Sequence, residues 1–303
     1  MKTVAGFTRR AVLAAGVMSF AGAACAAAPA PRVAALDWGW AATLMALGVD
    51  PVGVAERRSY AAWVGEPALP ATTAELGLRT TPSLETLASL RPDLILTNSL
   101  NAPLRAQLER IAPTLDSPIF TESRTPLANA RSATRLLGDR IGRRGAAETW
   151  IADSDRRFAA VRERLAPCRG QALIPMQMLD HRHVTYYGRG SLYGDVLETI
   201  GLRSAFPGPT SPWGHHSDDL ASLATLPLAD LLLVAPLPPA LPALTNGASL
   251  MAGLLAAGHR RLYRLPPAWV FGELTAATRF AELVGDALAP RRTGSRFATG
   301  AQA

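Results

Sequence analysis

Residues 77–99 read GLRTTPSLETLASLRPDLILTNS, a short amphipathic helix pattern followed by the apolar run of a buried strand. Thr81 is predicted to cap the helix, with Pro82 at its first position and Pro92 just beyond its end. Four side chains at helical spacing are predicted to face the core: Leu84, Leu87, Ala88 and Leu90. The segment DLILTN (93–98) then predicts a buried strand of an α/β sheet.

The same helix and strand pattern recurs later in the chain. DLASLATLPLADLLLV (219–234) repeats SLETLASLRPDLIL (83–96) with one inserted residue. The strand RVAALDW (32–38) and the helix TLMALGV (43–49) precede the first copy, and the helix SLYGDVLETIGL (191–202) precedes the second. Any two amphipathic helix and strand units look alike, but the shared order predicts an α/β fold of two similar lobes with mostly parallel sheets.

Residues 145–165, GAAETWIADSDRRFAAVRERL, contain no proline and no internal glycine. They predict one helix of about 20 residues, roughly 30 Å long, that bridges the lobes. The predicted domains are an N-terminal lobe (29–144), the bridging helix (145–165), a C-terminal lobe (166–290) and a tail (291–303). Because a kink usually needs proline, glycine or an inserted group, we expect little closure between the lobes.

Residues 1–28 have the pattern of an export signal, with a basic start, a short apolar run and small residues at the end. The pair Arg9 and Arg10 favours the twin-arginine route over an ordinary Sec signal, and cleavage predicts a periplasmic protein. Lipid attachment at Cys25 is the alternative. Cleavage would also leave Cys168 as a single cysteine, which excludes an intrachain disulfide.

Basic charge is concentrated at the two ends of the chain. The formal net charge of +7 falls to +4 without the three basic residues of 1–28, and to +1 without the three arginines of 291–303. The remaining body is nearly neutral and has no basic stripe, which argues against nucleic-acid binding.

Tryptophans mark the loops where a ligand cleft is expected. Five of them follow the first strand or lie in segments flanked by proline or glycine: Trp38, Trp40, Trp63, Trp213 and Trp269. A tryptophan in a loop often packs over a domain edge, but matching positions in both halves predict a wide aromatic receptacle. Arg79 is the candidate donor to ligand oxygen atoms, and a surface salt bridge to Glu75 or Glu56 is the alternative.

Four segments resemble one known family: AAWVGEP (61–67), GLRTTPSLE (77–85), YYGRGSLYGDVLETIGL (186–202) and AWVFG (268–272). The chain resembles the periplasmic ferric hydroxamate siderophore-binding proteins that serve the ferrichrome ABC importer. The resemblance implies a helical-backbone periplasmic binding protein, acting as a monomer with the importer's transmembrane subunits as partners. It also implies that the siderophore wraps the iron, so that the protein needs neither a cofactor nor metal ligands of its own.

The resemblance assigns roles residue by residue. Arg79 matches the arginine that contacts hydroxamate oxygens, and Asn101 stands where the family has a hydrogen-bonding tyrosine. The other implied pocket residues are aromatic: Trp63, Trp213, Trp269 and Phe271. Docking on the permease uses an acid on each lobe; Glu85 matches the first, and Asp218 and Asp219 lie near the second.

The residues support other functions less well. A metal-ion binder would need about four converging His, Asp or Glu ligands, and the histidine clusters, His181 with His183 and His215 with His216, are more typical of polar loop residues. GRGSLYG (188–194) has the spacing neither of a dinucleotide loop nor of a nucleophile elbow, and no catalytic residues are predicted. Cobalamin or haem capture on the same fold is the remaining alternative.

Overall fold

The computed structural model describes residues 30–238, 249–257 and 261–289. The predicted export signal with Cys25 and the predicted tail lie outside these residues. Within the described ranges, no helix combines the length and the apolar character needed to cross a lipid bilayer.

From residue 30 onward, where the described part begins, the first half of the chain forms a five-stranded sheet. Its strands are β1 (Val33–Ala35), β2 (Gly53–Val54), β3 (Ala74–Glu75), β4 (Leu94–Leu96) and β5 (Thr114–Leu115). They lie in the order β3-β2-β1-β4-β5, and every neighbouring pair is parallel. The accompanying helices are α1 (Trp38–Ala46), α2 (Arg57–Trp63), α3 (Leu84–Ser89) and α4 (Arg105–Leu108). Every residue of β1 and β4 is buried, as expected for a parallel sheet covered on both faces.

Helix α3 begins later than the sequence predicts. Ser83, not Thr81, caps it, and the Ser83 Oγ accepts a hydrogen bond from Thr86 N at 3.2 Å. The residues before the cap form a turn closed by an antiparallel bridge between Gly77 and Pro82. The predicted cap at Thr81 is therefore wrong, because the turn holds this residue outside the helix.

The core face of α3 is narrower than predicted. Leu87 is fully buried, and Leu84 and Leu90 are half-buried against the same apolar cluster. Ala88 is exposed, so the prediction for this residue is wrong. A helix of six residues makes less than two turns and therefore buries only one line of side chains.

Two longer helices follow the first sheet, α5 (Pro126–Arg140) and α6 (Arg144–Arg164). Helix α6 is the predicted bridge, shifted by one residue from the predicted range 145–165. Its length of 21 residues agrees with a sequence that has no proline and whose glycine, Gly145, lies in the first turn.

Among its described residues, the second half of the chain forms a sheet of six strands. These are β6 (Ala172–Met178), β7 (His183–Tyr187), β8 (Arg203–Ser204), β9 (His215–Asp219), β10 (Asp230–Val234) and β11 (Leu262–Leu265). The order is β11-β10-β6-β7-β9, with β8 also beside β6. Strand β7 is antiparallel to both neighbours and the other pairs are parallel, so the sheet is mostly parallel as predicted. Its helices are α7 (Leu192–Thr199), α8 (Leu250–Ala257) and α9 (Leu274–Leu288).

The predicted repeat has a physical counterpart in two aspartates. Asp93 accepts a hydrogen bond from Arg32 N at 2.8 Å, and Asp230 accepts one from Gln171 Nε2 at 2.8 Å. In each half, the aspartate at the start of one strand thus binds the residue that precedes the neighbouring parallel strand. The helix before β10 departs from the repeat, because residues 220–225 form a 3₁₀ helix rather than an α-helix.

Helix α9 joins the two halves of the chain. It packs against α1 and α5 from the first half, α7 from the second, and α6. Arg157 and Arg164 of α6 pair with Glu282 and Asp286 of α9 at 3.1 and 2.9 Å. Because the described residues from Pro31 onward form one compact unit, the boundaries predicted for the lobes stay predictions.

Candidate functional site

A cavity of about 560 Å³ is lined by loops from both halves of the chain. From the first half it takes residues that follow β1, β4 and β5, together with Arg79: Asp37, Trp40, Asn98, Ser99, Leu100 and residues 116–120. From the second half it takes Trp213, His215, Trp269, Phe271 and Glu273. Loops beyond the carboxyl ends of parallel strands are the usual ligand sites of α/β sheets, and the volume lies in the range typical of small-molecule sites.

Arg79 is held by contacts on several sides. Its Nε donates to Glu56 Oε2 at 3.0 Å, and its backbone N donates to Glu56 Oε1 at 3.2 Å. Its Cζ lies 3.9 Å from the centroid of the Trp38 ring and 5.3 Å from that of Trp269. Neither Nη1 nor Nη2 has a hydrogen-bond partner among the described residues. The salt bridge foreseen as an alternative is thus present, and it leaves both Nη groups of the guanidinium unpaired.

The other foreseen partner of Arg79 has a different role. Glu75 accepts hydrogen bonds from Arg57 N and Gly77 N, both at 2.9 Å. It therefore fixes the backbone of the loop that carries Arg79 rather than the guanidinium itself.

Three predicted ligand contacts lie outside the lining of the cavity. Trp38 is buried beneath the guanidinium of Arg79, and Trp63 packs edge-on against Trp269 with ring centroids 5.7 Å apart. Asn101 is 1% exposed, and its Nδ2 donates to Arg79 O at 2.6 Å. Trp38 and Asn101 contact Arg79 and Trp63 contacts Trp269, so the three side chains support residues of the cavity wall, and their direct contact with a ligand stays a prediction.

Three aromatic side chains of the cavity lining pack around Phe271. Its ring centroid lies 5.2 Å from Trp269, 5.9 Å from Phe120 and 6.3 Å from Trp213. Trp213 is 45% exposed, so it lies at the rim. Phe120 comes from the first half and the other three from the second, which agrees with the predicted aromatic receptacle between the halves.

Sequence reasoning missed the buried carboxyl groups of the cavity. Asp37 caps α1, accepting from Gly39 N and from Asn98 Nδ2, both at 2.8 Å. Burial raises the pKa of Asp37, and the Asn98 hydrogen bond and the charge of Arg79 oppose that rise. Burial, reinforced by the charge of Asp37, raises the pKa of Glu273 well above its ordinary value. Asp37 lies two residues after the end of β1, a position that sequence alone could have marked, whereas nothing in the local sequence marks Glu273.

The histidines lie in different surroundings. His183 pairs with Asp180 at 2.7 Å on the β6–β7 hairpin, whereas His215 lines the cavity and contacts Ser211 Oγ at 3.1 Å. Burial lowers the pKa of His215. In the part of the chain that the structure describes, no three His, Cys, Asp or Glu side chains are grouped so as to hold a metal ion.

The predicted docking acids are all exposed. Glu85 lies in the first turn of α3, where the helix dipole favours a carboxylate. Asp218 and Asp219 lie on β9, each with a histidine nitrogen 3.8 Å away. Their role in docking stays a prediction.

A sequence profile of periplasmic binding proteins matches residues 33–225, well over half of the chain. The chain belongs to the periplasmic binding protein family. This membership agrees with the α/β fold and with a cavity lined from both halves. The iron(3+)-hydroxamate-binding protein FhuD of Escherichia coli is similar to this chain, with 29% identity over 270 residues. The aligned region covers 85% of this chain and 86% of FhuD.

Solved structures agree with this assignment. The siderophore-binding protein FhuD of Vibrio cholerae, bound to Fe³⁺-Desferal, superimposes with a TM-score of 0.80 at 28% identity, covering 86% of this chain and all of that one. SirA of Staphylococcus aureus matches with a TM-score of 0.62 at 20% identity over 85% of this chain and 98% of its own, a likeness that concerns the fold.

Proposed function

We propose that this periplasmic binding protein captures ferric hydroxamate siderophores and delivers them to an ABC importer in the inner membrane. The observation that carries the proposal is Arg79: a guanidinium stacked on Trp38, with both Nη groups unpaired, at the wall of an aromatic cavity. Two similar proteins support this ligand class. One is the iron(3+)-hydroxamate-binding protein of Escherichia coli, and the other is the siderophore-binding protein of Vibrio cholerae with bound Fe³⁺-Desferal.

The chemistry of the cavity suits such a complex. Hydroxamate oxygens around Fe(III) carry negative charge on a compact surface, which a planar guanidinium recognises through paired, charge-assisted hydrogen bonds. Trp213, Trp269 and Phe271 offer apolar surface to the organic part of the ligand. Because the siderophore itself holds the iron, the protein contributes neither metal ligands nor a cofactor, and its task is binding rather than catalysis.

The proposal extends to export and delivery. The protein is exported by the twin-arginine route, is released into the periplasm without a lipid at Cys25, and acts as a monomer. Glu85 on one side of the cavity and Asp218 or Asp219 on the other contact the importer's transmembrane subunits. Exposure of these three acids supports such a contact.

Tryptophan fluorescence tests the ligand class, with ferric desferrioxamine, cobalamin and haem titrated separately into the mature protein. We expect saturable quenching by ferric desferrioxamine, weakened roughly 10- to 100-fold by Arg79→Ala, because charge-assisted hydrogen bonds contribute about 1.5–3 kcal/mol. Arg58→Ala is the matched control, since Arg58 is exposed on α2 and does not line the cavity. A response to cobalamin or haem without one to ferric desferrioxamine would refute the ligand class and leave the fold assignment intact.

A further inference from the structure

Glu56 binds Arg79 through both carboxylate oxygens. Oε2 accepts from Arg79 Nε at 3.0 Å and Oε1 from Arg79 N at 3.2 Å, so one side chain holds the head group and the backbone of the arginine together. The side chain of Glu56 is 23% exposed, and that of Arg79 is 20% exposed. Partial burial strengthens such a charge-assisted pair relative to one in open solvent.

The backbone of Glu56 is strained and held in place. Its φ of 51° and ψ of 43° lie in the left-handed region, which is costly for a residue with a Cβ. Its N donates to Gly77 O at 2.7 Å, and the preceding carbonyl of Ala55 accepts from Trp38 Nε1 at 2.9 Å. Glu56 is therefore fixed to the Arg79 loop on one side and, through Ala55, to the ring beneath the guanidinium on the other.

These contacts determine which donors of Arg79 remain available. The guanidinium is planar, with Trp38 on one face and Glu56 at the Nε edge, and Asn101 holds the carbonyl of Arg79 at 2.6 Å. Free rotation of the arginine head group is thereby restricted, and the end that carries Nη1 and Nη2 stays unpaired. A preorganised donor pair binds a ligand more tightly because less side-chain entropy is lost on binding.

We propose that Glu56 is a positioning residue, which increases ligand affinity by fixing the guanidinium of Arg79 and does not itself contact the ligand. The inference rests on the proposed function, since it assigns the ligand contact to Arg79. Glu56 is absent from the lining of the cavity, which separates its role from that of Arg79.

Glu56→Gly tests the proposal, because glycine adopts a positive φ without strain and the substitution removes the side chain that carries the carboxylate. We expect the dissociation constant for ferric desferrioxamine to rise about tenfold while the melting temperature is unchanged or higher. Arg91→Gly is the matched control: Arg91 also has a positive φ, of 46°, and is exposed at the end of α3. This control should leave the affinity unchanged. Equal affinity of Glu56→Gly and the wild type would overturn the proposal.

A double-mutant cycle separates positioning from a structural role. In an Arg79→Ala background, Glu56→Gly should have no further effect on affinity, because the group that it positions is gone. A tenfold loss in that background as well would overturn the proposal.

A ligand-free measurement keeps the inference independent of the proposed function. We expect the Nε–H of Arg79, observed by nitrogen-15 NMR, to exchange with water more slowly in the wild type than in Glu56→Gly. Equal exchange rates would overturn the positioning role. If the wild type binds no ferric desferrioxamine, the proposed function fails, and this comparison still decides the role of Glu56.

Discussion

Gly39 lies in the first turn of α1, where the segment that carries Glu273 from the other half approaches closely. A Cβ at this position would collide with Glu273 Oε2 and would lie 2.8 Å from Gly272 Cα and 2.9 Å from Glu273 Cδ. The carboxylate could swing aside, but the backbone at Gly272 could move only together with the cavity wall at Phe271. We therefore predict that Gly39→Ala destabilises the protein and weakens ligand binding.

Two effects of opposite sign set the magnitude. Replacing a glycine with alanine in a compatible helical position stabilises by about 0.4–1 kcal/mol. Overpacking of a tight contact costs about 1–3 kcal/mol. The contact therefore dominates, and we expect a net loss of about 1–2 kcal/mol in the free energy of unfolding.

Urea unfolding of Gly39→Ala and Gly145→Ala provides the comparison. Gly145 is also the second residue of its helix, α6, and a Cβ there meets nothing within 4 Å. This control should be neutral or slightly more stable than the wild type. Equal stabilisation by both substitutions would refute the reasoning, because it would mean that the approach of Glu273 to α1 does not constrain Gly39.

Two further predictions concern stability. Burial raises the pKa of Asp195 to about 6, so the folded state binds this proton more tightly than the unfolded state, and the free energy of unfolding falls as pH rises from about 4 to 6. Asp195→Asn should remove that part of the slope, about 1 kcal/mol after discounting for solvent screening, in urea titrations across this pH range. If the slope of the free energy of unfolding against pH were the same in Asp195→Asn and the wild type, the prediction would be contradicted. Leu87→Ala should lower the free energy of unfolding by about 2–5 kcal/mol, and Leu228→Ala, at an exposed position, should leave it almost unchanged. Thermal unfolding of both variants measures the difference, and similar losses of stability would contradict the burial of Leu87.

Local patterns predicted the elements that depend on nearby residues. Helix α6 begins and ends within one residue of its predicted bounds, because its composition alone favours a helix. The N-cap of α3 was predicted at Thr81 but lies at Ser83, because the bridge between Gly77 and Pro82 prevents an earlier start of the helix. Such a turn depends on how the chain leaves β3, which helix propensity does not describe.

The candidate site was only partly predictable. Arg79, Trp213 and Trp269 were identified from loop position and residue type, and Phe271 from the family resemblance; all four line the cavity. Asn101 was also predicted to contact the ligand, but its buried side chain donates a hydrogen bond to the backbone carbonyl of Arg79. A residue's neighbourhood in sequence reveals that it belongs to a site loop, yet the direction of its side chain depends on packing against the rest of the fold.

The sequence by itself determined the α/β class, the internal repeat and the long central helix, because periodicity and helix breakers act over a few neighbouring residues. It also identified the arginine and aromatic residues of the cleft loops. Only the tertiary structure decided that Glu56 holds Arg79 and that Asp37 and Glu273 share one cavity. These groups meet across long sequence separations, and their burial, charge and available donors arise only when the two halves of the chain pack together.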